Sequence, residues 1–237
     1  LRLDRQPAAQ LKPAARAPGK GDQVKRSKTV GLAVAAALAT MAFVGTGSAF
    51  ATHVCSQAVQ TCEGGAIYGS GTQIKAGLKT GTVGKLKTNI GTVECTVSTV
   101  EAETTSASGT PMTGKVTNLT FEGCSITVLL TFNCTIGTAL NLPYAGTLEW
   151  TSGNSGTLTA EEGEGGGEPS AHVECLGGLV NCTYGATMPA LEAEGGNPAV
   201  VHINGVELNK EGGNCPEEAL WFGTYTVSEP KPAYITM

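Results

Sequence analysis

The sequence predicts an all-β protein: a disulfide-stabilised antiparallel sandwich or barrel of many short strands, set behind an N-terminal signal peptide. Three observations carry that expectation. Apolar and polar residues alternate with period two in several short windows, and no window holds a sustained 3.6-residue apolar stripe. Glycine is abundant, 33 of 237 residues, and falls in clusters that punctuate those windows. All eight cysteines follow residue 51, behind an apolar run with the features of an export signal.

The leader comes first. Lys25, Arg26 and Lys28 form a basic segment, Val30 to Val44 is an uncharged apolar run, and Ala49 and Ala51 supply the small residues that a signal peptidase reads. The run is about 15 residues, short of the roughly 20 that span a bilayer, so 24–51 reads as a signal peptide and not as a membrane anchor. Cleavage after Ala51 would leave Thr52 as the first residue. Arg26 has no second arginine beside it, and Cys55 lacks the lipoprotein context. Residues 1–23 open on Leu1 and read as upstream translation or an extended basic segment.

From 52 to 237 the composition changes sharply. This part holds seven Lys, 18 Glu, no Arg and no Asp, a net charge of −11. Nucleic-acid binding needs a basic footprint, which this composition excludes. The absence of Asp excludes Asp-dependent triads, the aspartic-protease pair and the usual calcium loops.

Along this single expected domain, Thr92 to Ser98 alternates, as does Ser125 to Asn133, where Ile126, Val128, Leu130 and Phe132 share a face. Trp221, Gly223, Tyr225 and Val227 share another face. Leu148-Glu149-Trp150 and Thr157-Leu158-Thr159 flank Gly153-Asn154-Ser155-Gly156 as a hairpin. Val201-His202-Ile203 and Val206-Glu207-Leu208 flank Asn204-Gly205, a pair favoured in type I′ turns. Glu101 to Gly114 and the Glu- and Gly-rich stretch 161–168 read as loops.

The eight cysteines read as four disulfides. Cys175 and Cys182 are placed to bond across a short hairpin, and Cys55 and Cys62 to close a small loop. Cys124 and Cys134, at the two ends of one apparent strand, should lie roughly 30 Å apart and not bond. Cys95, Cys124, Cys134 and Cys215 then pair as 95–124 with 134–215, or as 95–134 with 124–215, and the residues leave that choice open. A zinc site lacks ligands at the usual close spacing.

Several stretches from Cys95 onward carry a resemblance: Leu142 to Leu148, Cys182-Thr183-Tyr184-Gly185, Cys215-Pro216, Trp221, Gly223 to Val227, and Pro230 to Tyr234. On these the chain resembles a group of secreted actinobacterial proteins with no assigned activity. The resemblance implies secretion and β-structure, and it implies no mechanism.

Candidate chemistry is sparse. His53, second after the expected cleavage, could chelate copper with the terminal amine, but a solvated His on a frayed terminus is the expected state. His172 and Glu174 share a strand face without a third ligand, and His202 sits beside the expected tight turn. With 18 Glu some pair always approaches, so a paired-carboxylate hydrolase has no specific support. There is no Gly-x-Ser-x-Gly elbow. Asn118, Asn133 and Asn181 stand in sequons without further meaning. The one charge feature is basic: Lys75, Lys79, Lys85 and Lys87 lie in an acid-free stretch, 73–91. They are an ordinary solvated face or a contact for an anionic polymer of the cell envelope. The expectation is therefore a secreted, non-catalytic binding or cell-envelope interaction protein with no cofactor, no catalytic residue and no metal. Its partner would be such a polymer or another extracellular protein. The alternatives are a Glu-dependent hydrolase, or an inhibitor presenting a disulfide-pinned loop at 176–181.

Overall fold

The computed structural model describes residues 51–62, 66–128, 130–163, 166–186 and 190–237. The expected signal peptide and the segment before it lie outside them, except Ala51. The described chain is all-β: β1 His53–Cys55, β2 Gln73–Leu78, β3 Gly84–Lys87, β4 Thr92–Thr104, β5 Met112–Thr127, β6 Thr131–Leu140, β7 Tyr144–Ser152, β8 Ser155–Gly163, β9 Ser170–Cys175, β10 Val180–Gly185, β11 Leu191–Glu194, β12 Val200–Asn214, β13 Glu218–Glu229 and β14 Tyr234–Thr236. One 3-10 turn, Leu176–Gly178, joins β9 to β10. Every pairing is antiparallel.

Twelve strands form one sheet that closes on itself in two tiers. The strands β4, β5, β12 and β13 are long and belong to both. In the first tier, β2 joins the second half of β4 to the second half of β13, while β7, β8 and β11 run from Met112–Val116 of β5 round to Val200–His202 of β12. In the second tier, β3 joins Thr92–Cys95 of β4 to Leu220–Phe222 of β13, while β6, β9 and β10 run from Cys124–Thr127 of β5 to the end of β12. Each tier is a ring of eight strands, a girth at which a barrel interior is filled by side chains or holds one small ligand. The separate ribbon of β1 and β14 lies at the far end of the first tier: Gly196 pairs with Ala233, and Thr52 pairs with Gly109 of the β4–β5 loop.

Four disulfides pin this arrangement: Cys55–Cys62, Cys95–Cys124, Cys134–Cys175 and Cys182–Cys215. Cys95, Cys124, Cys134 and Cys175 are successive cross-strand partners on β4, β5, β6 and β9, all buried. Three of the four bridges thus staple the second tier.

Several expectations are corrected here. Cys175 does not bond Cys182. The β9–β10 register sets Cys175 opposite Val180 and Cys182 opposite Val173, so each sulfur finds a partner on another strand. Of the open alternatives only 95–124 forms. Cys134 goes to Cys175 and Cys215 to Cys182. The stretch 125–133 is not one strand but a tight hairpin, with Thr127 opposite Thr131 and Cys124 opposite Cys134. Those two cysteines stay unbonded, though not because they are far apart. Paired residues share a face, and here the partners are an even number of residues apart (Thr127 with Thr131, Ile126 with Phe132), so period-two alternation runs through the reversal unbroken.

Asn204-Gly205 is not a hairpin turn. Gly205, with φ of +82°, is a bulge within β12 opposite the Phe222–Trp221 step. The expected loop at 101–114 shrinks to 105–111, and Glu161, Glu162 and Gly163 end β8. The hairpin from Trp150 to Thr157 is present as β7–β8, and Trp221, Tyr225 and Val227 do share the inward face.

A peptide map of the oxidised protein is expected to return these four bridges. Replacing Cys182 and Cys215 together by Ser should cost about 2–4 kcal/mol in denaturant unfolding. A 175–182 fragment would overturn the register given for β9 and β10.

Candidate functional site

Side chains on the inward face of every one of the twelve barrel strands line a single cavity of about 270 Å³. The period-two pattern sets its wall: Ile74 and Ala76 of β2 point in while Lys75 points out, and Leu86 of β3 points in between Lys85 and Lys87. What opens the space is the size of the inward residues. Ala76, Ala102, Ala160, Ala171, Ala193 and Ala199 stand where a filled barrel would carry Leu, Ile or Phe. One aromatic contact crosses the interior, where the rings of Phe121 on β5 and Trp221 on β13 meet edge to face at 5.2 Å.

The wall is hydrocarbon almost throughout. Its three tyrosines turn their hydroxyls to the protein. Tyr144 donates to the Leu140 carbonyl, Tyr184 to the Pro216 carbonyl at 2.9 Å, and Tyr225 to Ser98 Oγ at 3.0 Å. Glu194 is the lone carboxylate among the lining residues; it is largely exposed and lies 3.8 Å from His202. At the first-tier end the lining passes to Val54 and Ile235 of the β1–β14 ribbon and to Ala233 just before β14. At the other end it gives way to the packed cluster of Val93, Ile126, Ala219 and the buried disulfides.

The residues singled out in the sequence lie elsewhere. Lys75, Lys79, Lys85 and Lys87 are exposed on the outer face and turn of β2 and β3. Lys75 bonds Glu229 at 3.0 Å, and Lys85 bonds Glu94 at 2.8 Å across β3 and β4. The Glu229 carboxylate, through its hydrogen bond and its charge, raises the Lys75 pKa, with Glu101 adding to it. Lys75 and Lys79 line a shallow outer groove with Thr99, Glu101, Thr226 and Ser228, so carboxylates interrupt the basic row that the sequence shows as continuous.

His53 is not on a frayed end. It sits in β1 opposite Thr236, its Nδ1 buried without a hydrogen-bond partner. Thr52 is buried too; its N–H donates to the Gly109 carbonyl at 2.7 Å, and its Oγ1 accepts from the Trp150 N–H at 2.8 Å. His172 lies 3.5 Å from Thr183 Oγ1 on the outer face, and His202 lies within β12 rather than beside a turn. Among the described residues no Glu is buried, and no three His, Cys, Asp or Glu side chains are grouped to hold a metal. The segment 176–181 is the short 3-10 turn after β9, Leu179 and the first two residues of β10; the cysteines that flank it, Cys175 and Cys182, bond to Cys134 and Cys215 and not to each other.

The barrel and its interior define a class, a closed antiparallel β-protein with an apolar central cavity. Comparison with protein-family models, with curated proteins and with solved structures returns no match, so the geometry alone carries the functional argument.

Burial raises the pKa of Tyr144, Tyr184 and Tyr225 above the ordinary value of about 10. The sign follows from linkage. These phenols stay neutral in the fold at a pH where the unfolded chain ionises, so the stability present below about pH 10 is lost as pH rises past it. Ultraviolet titration of phenolate, followed beside circular dichroism, should show three tyrosines ionising above the free-tyrosine range, with the loss of β-structure. Ionisation of all five near the free value with the fold intact would contradict this burial.

Proposed function

We propose that the protein is a non-catalytic binding protein that works outside the reducing cytoplasm and holds a small apolar molecule inside its barrel. The cavity carries this reading: a space of about 270 Å³ inside the barrel whose wall offers hydrocarbon and almost no hydrogen-bonding group. An apolar cavity of this kind stays dry and takes apolar guests, and its volume is near the lower bound of known ligand pockets, roughly 300 Å³. The ligand class is accordingly a hydrocarbon or the hydrocarbon tail of a larger molecule; a sugar, nucleotide or peptide would bury polar groups without partners. Export is supported by the four disulfides, with no free thiol. Among the described residues no helix is long and apolar enough to cross a membrane. The reading does not call on the outer lysines.

The test is titration with an apolar fluorescent reporter such as N-phenyl-1-naphthylamine. The expected result is saturable binding of one reporter per chain. Ala160→Phe with Ala193→Phe should abolish it, since both side chains grow into the cavity, while the midpoint of thermal unfolding holds or rises. Absence of reporter binding by the parent, or equal binding by the double variant, would overturn the reading.

A further inference from the structure

The second-tier end of the barrel has a character unlike the rest of the surface. The row Cys95, Cys124, Cys134 and Cys175 fixes the level of four strands there. Beyond it the chain turns three times, at 88–91, between Thr127 and Thr131, and at 176–179. Each turn carries large apolar side chains in water: Ile90 is 50% exposed, Val128 56%, Leu130 69% and Leu179 73%. Phe132 continues the same inward-facing row on β6, opposite Ile126. Exposed aliphatic residues gathered at one end mark a contact, whereas scattered ones carry no meaning.

Charge identifies the partner. The segments 88–93, 125–136 and 176–185 contain no charged residue, in a body with 18 Glu. The fourth turn at this end carries Glu217 and Glu218, both exposed, and Glu217 is already paired to Lys210. An end-on second copy would have to bury the Glu217–Lys210 pair and, beside it, the Glu218 carboxylate, for which no salt bridge is formed among the described residues, at the cost that burial of charge always carries. An anionic membrane would repel them. A zwitterionic lipid surface does neither: aliphatic tips enter the acyl boundary one by one, without a shaped complement, while the acidic turn stays among the headgroups.

We propose that this end of the barrel docks on an uncharged or zwitterionic lipid surface, with Ile90, Val128, Leu130 and Leu179 as the inserting side chains. This goes beyond the cavity reading and does not depend on it.

The experiment is flotation of the oxidised chain from Thr52 onward, the product of the expected cleavage, with phosphatidylcholine vesicles at low and at high salt. The parent is expected to float with the vesicles at both, because apolar insertion is not screened. Combined Ile90→Ser, Val128→Ser, Leu130→Ser and Leu179→Ser should lower the partition coefficient about tenfold or more. Thermal unfolding should change little, since all four side chains are exposed. The cavity-filling pair Ala160→Phe and Ala193→Phe should float like the parent, which separates failure of this proposal from failure of the ligand reading. Should the quadruple variant fail to fold, Leu130→Trp reports alone: its emission should shift to the blue on vesicles and be quenched by brominated acyl chains. A parent that stays with the aqueous phase, release by salt, a quadruple variant that floats as well as the parent, an unshifted Leu130→Trp, or a vesicle-free dimer abolished by the four substitutions would each overturn the proposal.

Discussion

Everything in this fold hangs on four long strands whose two halves hydrogen-bond to different neighbours. The halves of β4 face β2 and β3, those of β5 face β7 and β6, and those of β12 face β11 and β10. A strand that serves two tiers must change neighbours without losing its ladder, and the chain does this where small residues sit. On β4 and β5 the inward pattern skips a residue at Thr96-Val97 and at Glu122-Gly123, with Gly123 at φ of +59° and Thr96 close against it. Closing both rings leaves the twelve strands without a free long edge, which is how barrels avoid pairing with other chains.

The same constraint explains what the sequence tells and what it hides. Alternation over Trp221–Val227 declares inward and outward faces, and the structure places them so; the alternation expected over Thr92–Ser98 holds only to Cys95, after which Val97 turns outward and Ser98 is buried. Glycine misleads, because in this chain it marks irregularities inside long strands, at Gly123, Gly205 and Gly213, as well as the turns between strands. Gly205 is the instance: it and Asn204 have the residue types of a hairpin turn, yet β12 runs straight through. The hairpin between Thr127 and Thr131 hides for the opposite reason, since it contains no glycine, proline or aspartate and its parity matches that of a single strand. Disulfide partners depend on strand order, which local pattern does not contain, so only the local 55–62 pair and one of the open pairings could be read.

The cavity was legible in principle. Inward positions of strands usually carry bulky β-branched or aromatic residues, and here alanine recurs among them, at Ala76, Ala160 and Ala193 for example. That signal becomes visible only once the inward face of each strand is known, which needs the closure. The lysine segment shows the reverse case. Its charge run stands out in a linear reading, but Glu229 and Glu94 approach it from strands distant in sequence, and no window of the chain reveals that neutralisation.

The row of four sulfurs has a consequence for how the molecule matures. Cys124 looks across at Cys95 on one side and at Cys134 on the other. The second neighbour is ten residues away along the chain; the bonded partners are separated by 29 and, for Cys134, by 41. Short loops close sooner than long ones, so in an oxidising compartment the thiols that meet first are not those that remain joined. Correct maturation requires either that β4 and β9 dock while the thiols are still reduced, or that an early 124–134 bridge be reopened by a neighbouring thiolate. A protein so built has an order of events imposed on it: the strands that flank Cys124 and Cys134 must be in place before the bridges are final.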